Sequence, residues 1–121
     1  MIEHPIARPH QDRWNQLGAT LKNLASIIED WHLDSSTCLR LTYGHPLELG
    51  APLTSLDQTF LLSDLLEQAS KMGASLRLAN PAPDEWIASF AERQPFEQGH
   101  TSVMALSRAL LAWHRGPPSS A

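Results

Sequence analysis

Apolar side chains stand at Trp14, Leu17, Leu21, Leu24, Ile28 and Trp31, a 3-4-3-4-3 spacing that lines one side of a helix. The spacing predicts a first helix from about His10 to His32. Ile27 widens the stripe beside Ile28, as in a buried bundle-type face rather than a strict two-stranded coil. Gly18 lies off the seam and costs about 1 kcal/mol relative to alanine. Near the C-terminus Val103, Leu106, Leu110 and Trp113 repeat the rule as 3-4-3. They predict a last helix that ends at Gly116, Pro117 and Pro118.

Between the two seams the period changes. Leu39, Leu41 and Tyr43 alternate with Cys38, Arg40 and Thr42, which predicts a strand over 37–43. Gly44, His45 and Pro46 make a turn, and Leu47, Glu48 and Leu49 offer a short hairpin partner. A second helix starts at Ser55, with Gln58 at capping-box spacing, Thr54 as a rival cap and Asp57 in the first turn. Its apolar face is Leu62, Leu65, Leu66, Ala69 and Met72, thickened by Phe60 and Leu61, and Gly73 stops it. Residues 74–80 alternate again around Leu76 and Leu78, up to Pro81 and Pro83. A third helix from Asp84 carries Trp86, Ile87 and Phe90 and closes at Pro95.

Leu39-Arg40-Leu41 and Leu76-Arg77-Leu78 are matching strand cores on either side of a helix, the signature of a right-handed βαβ unit. A hairpin through His45 and Pro46 is the competing topology. The expected fold is α+β: a small sheet of two or three strands with one βαβ crossover, packed by about four helices. Residues 1–9 are expected to form a flexible arm, 10–116 a single domain and 117–121 a disordered tail. Two strands cannot stand alone in water, so helices, the Leu47 segment or another chain must complete the sheet.

Composition narrows the function. The chain has 121 residues, room for one core, and 19 of them are leucine, which favours helix–helix packing over a β-sandwich. Nine basic residues against thirteen acidic ones give a net charge of −4, a poor surface for phosphate, so no nucleic-acid partner is expected. No apolar run reaches membrane-spanning length, and Glu3, His4 and Pro5 stand where a signal peptide would be basic and then apolar. We expect a soluble, cytoplasmic protein with no membrane partner. The lone Cys38 excludes an intramolecular disulfide and a cysteine-only zinc site.

Candidate chemistry is sparse. His4, His10, His32, His45, His100 and His114 include no His-x-x-x-His pair and none lies at zinc spacing from Cys38, so neither a metal nor another cofactor is expected. Cys38 is read as a buried structural residue rather than a nucleophile, because no base or motif accompanies it. There is no glycine-rich phosphate loop and no Gly-x-Ser-x-Gly elbow. Asp34-Ser35-Ser36 is similar to the acidic-serine-serine turn of STAS-type regulators, and it also suits a helix-stop turn. Arg40 and Arg77 would lie side by side if their strands are neighbours and could hold an anion or a partner's carboxylate, but the favoured reading is that each reaches a nearby acid on an exposed sheet face.

Four tryptophans, Trp14, Trp31, Trp86 and Trp113, all fall on expected helices, and tryptophan is enriched among interface anchors. A short, acidic, leucine-rich chain with an amphipathic C-terminal helix over 101–115 resembles bacterial type III secretion chaperones and their small co-regulators. That resemblance implies binding of secreted effectors or transcriptional activators, commonly as a dimer. The function expected is a non-enzymatic regulator or adaptor that binds a partner protein through an amphipathic helical face. Trp14, Leu17, Leu21, Leu24, Trp31, Leu106, Leu110 and Trp113 would make apolar contacts, with Arg40 and Arg77 setting register. The alternative is an enzyme or small-molecule binder with a site at strand ends near Tyr43, His45 and Asn80. A homodimer in which the first helices complete one another's core is a third possibility.

Overall fold

The helices begin where side chains can cap them and end where the spacing or the residue type fails. A computed structural model of the chain describes residues 7–73, 75–90 and 96–115. Most of the expected arm, the helix stop at Pro95, the helix end at Gly116 and the expected tail lie outside the described residues. The chain divides into two compact units, Met1–Asp57 and Gln58–Ala121.

In the first unit, α1 spans Ala7–Ala25, so it begins before His10. It also stops well before His32. Ser26 Oγ donates to Asn23 O at 2.7 Å, competing for a helix carbonyl, and two β-branched isoleucines follow. Turns continue the coil, with Ile28 N on Leu24 O at 2.8 Å and Trp31 N on Ile28 O at 3.2 Å. Ile28 and Trp31 therefore stay on the dry side although they lie beyond the helix. Gly18 is buried because a Cβ there would sit 3.0 Å from Gly50 N. The helix thus approaches the segment after the third strand, and Gln11 Nε2 donates to Gly50 O at 2.8 Å.

Three short strands follow: β1 (His32–Leu33), β2 (Cys38–Arg40) and β3 (Pro46–Glu48), antiparallel in the order β1-β2-β3. Leu39 faces Leu47 across β2 and β3, and both are buried. Burying one such leucine stabilises by roughly 1.5–3 kcal/mol. The acidic-serine-serine turn is the β1–β2 loop. Its Ser35 Oγ accepts from the backbone N–H groups of Thr37 and Cys38 at 3.2 and 3.1 Å. Leu41 N donates to His45 O at 3.0 Å and Gly44 takes φ 93°, a left-handed turn position that suits glycine.

Helix α2 spans Ser55–Met72, opening at the end of the first unit and running into the second. The rival cap prevails: Asp57 N donates to Thr54 Oγ1 at 3.0 Å, and Thr54 N donates back to Asp57 Oδ2 at 3.1 Å. Gly73, at φ 70°, ends it.

The second unit continues with β4 (Leu76–Ala82), β5 (Glu85–Phe90), β6 (Glu97–Gly99) and α3 (Ser102–Arg115), the sheet being antiparallel in the order β4-β5-β6. Two expectations fail here. The segment with Trp86, Ile87 and Phe90 is a strand, not a helix, so the described residues hold three helices rather than four. Its tryptophan, isoleucine and phenylalanine suit a pleated surface, and Trp86, Ala88 and Phe90 alternate along one face. The βαβ crossover is also absent. Leu39-Arg40-Leu41 and Leu76-Arg77-Leu78 belong to separate antiparallel sheets. β2 pairs with β3 and β4 with β5, each a neighbour in sequence, which closes a smaller loop than a crossover would.

Pro81 is accommodated at an irregularity between Ala79 and Ala82, where no ladder bond needs its missing N–H. Helix α3 packs on β5 and β6, capped by Thr101, whose Oγ1 accepts from Met104 N at 3.3 Å. Arg108 Nη1 donates to Gln98 O at 2.6 Å. Inside this packing the hydroxyls of Ser89 and Ser107 are buried without hydrogen-bond partners. No described helix is long and apolar enough to cross a membrane.

Two substitutions test the packing. A methyl group on Gly99 would lie 2.6 Å from Ala105 N and 2.7 Å from Met104 Cγ. Gly99→Ala should therefore destabilise by about 1–3 kcal/mol in urea unfolding, as overpacking does. Ser107→Ala removes a buried, unsatisfied hydroxyl from a helix and should raise stability by about 1 kcal/mol in the same measurement.

Candidate functional site

Of the helical residues expected to touch a partner, Leu17, Leu21, Leu24, Trp31, Leu106 and Leu110 are buried within the chain itself. They are core. A seam at helical spacing shows that one side is dry and does not say what dries it, and here the chain's own residues do. Trp14 is half-buried. Trp113 is 37% exposed at the end of α3, its ring edge-on to Phe90 with centroids 6.1 Å apart.

The arginine pair is not assembled by strand pairing, since Arg40 and Arg77 lie in different sheets. Arg40 binds Asp34 through Nη2 at 2.6 Å and Nε at 2.8 Å, and Nη1 donates to Gly44 O at 3.0 Å. Its fork joins the β1–β2 loop to the β2–β3 turn. The hydrogen bond and the charge of Asp34 raise its pKa further above the ordinary value. Arg77 is exposed on β4.

Tyr43, His45 and Asn80 have separate settings. Tyr43 is exposed on the β2–β3 turn. Asn80 Nδ2 donates to Ala82 O at 2.6 Å and Glu85 O at 2.8 Å, tying the β4–β5 turn. His45 Nε2 lies 2.8 Å from Asp57 Oδ1, on the carboxylate that also caps α2. The hydrogen bond from His45 holds the Asp57 carboxyl below its ordinary range. Burial opposes this, and the bonds from Thr54 add to it. Cys38 is half-buried. Among the described residues no three histidine, cysteine or acidic side chains are grouped to hold a metal ion.

The exposed apolar face is on α2 instead. Leu56 is 61% exposed, Phe60 45% and Leu66 41%, while Asp64 and Gln68 are buried on the other side. Gln68 Nε2 donates to Asp64 Oδ1 at 3.5 Å. Thr59, Ser63 and Ser70 share the outward face with the half-buried Glu67. Leu61, Leu65 and Ala69 are buried as well, so the exposed leucines and phenylalanine are in excess of the stripe that the helix buries. One signal in the sequence marks this face. Leu56, Phe60, Leu61, Leu62, Leu65 and Leu66 go most of the way round the helix, more than one buried stripe can use.

Comparison with known protein families, with curated proteins and with solved structures finds no match for this chain.

The cap has a pH consequence. A carboxyl whose folded pKa is depressed adds stability above its unfolded value and loses it as pH falls through the folded one. For Asp57 that loss begins near the ordinary value of 3.8 and continues below it. Asp57→Asn should lower stability at pH 7 and flatten its dependence on pH below about 5, read by thermal unfolding across pH.

Proposed function

We propose that this chain is a non-enzymatic regulator or adaptor of the cytoplasm that docks a partner protein on the outward face of α2. The observation that supports this is an apolar excess on one helix: Leu56, Phe60 and Leu66 face water although Leu61, Leu65 and Ala69 already occupy the buried side with Asp64 and Gln68. Apolar side chains grouped on one helical face gain free energy when a partner excludes water from them. The surrounding serines and threonine tolerate burial better than charged groups, which are depleted from interface centres. Trp113, half in water at the end of α3, is a further aromatic group available for contact. Among partner-binding regulators we place the chain beside the type III secretion chaperones and their co-regulators, on its short, acidic, leucine-rich character and α+β build.

The test replaces Phe60 and Leu66 together by glutamate in the full chain and recovers bound protein from the native host. A stoichiometric partner held by the unchanged chain should bind about thirtyfold more weakly or worse, as loss of one hot-spot anchor of about 2 kcal/mol requires. Circular dichroism should be unchanged, because both positions are exposed. Equal recovery by the two proteins would overturn the proposal.

A further inference from the structure

We draw no further inference here: the strongest candidate, the water-facing apolar patch of Leu56, Phe60 and Leu66 on α2, belongs to the site already described, and nothing in the structure shows what covers it.

Discussion

Gly99 leaves no room for a side chain, because the first turn of α3 lies directly against it. A three-stranded sheet of this size gains stability from the element packed on its face, and α3 is packed on β5 and β6. The helix can come that close only where the strand carries hydrogen in place of Cβ. Phe90, Ala88, Leu106 and Leu110 are then buried, and Arg108 fastens α3 to the backbone of β6. In the first unit Gly18 does a related thing, letting α1 run close to Gly50. In each unit a glycine lets a helix and another segment come close, α3 against Gly99 of β6 and α1 at Gly18 against the segment after β3.

Burial in this chain is not sorted cleanly by polarity. Ser89 and Ser107 place hydroxyls where no partner reaches them, and Asp64 and Gln68 lie on the dry side of α2. Each costs free energy that an apolar side chain of similar size would not. On the same helix Leu56, Phe60 and Leu66 remain in water. Both observations concern one element, which buries Leu61, Leu65 and Ala69 and still leaves these three in water, and so α2 rather than α1 or α3 carries the functional proposal.

The parts legible in the sequence are those whose period is long enough to count. The seam from Trp14 to Leu24 locates α1, and Val103 to Trp113 locates α3. Thr54, Asp57 and Gly73 mark the ends of α2 through side-chain and backbone chemistry that is local. β1 has two residues and β6 three, too few to show alternation. β5 was ambiguous for another reason: Trp86 and Phe90 stand four apart, which satisfies a helical face and a strand face alike. Pairing partners were illegible because two similar strand cores, around Leu39 and Leu76, suggested each other, while each pairs within its own meander. For the site, periodicity found dry helix faces correctly and assigned them to a partner, whereas the chain covers them itself.

His45 belongs to a hairpin turn, yet its ring nitrogen rests on the carboxylate that begins α2. That turn and the helix start are therefore steered together. The imidazole and the Thr54 amide share that carboxylate, so the same oxygen pair that finishes a helix start also fastens a turn twelve residues upstream.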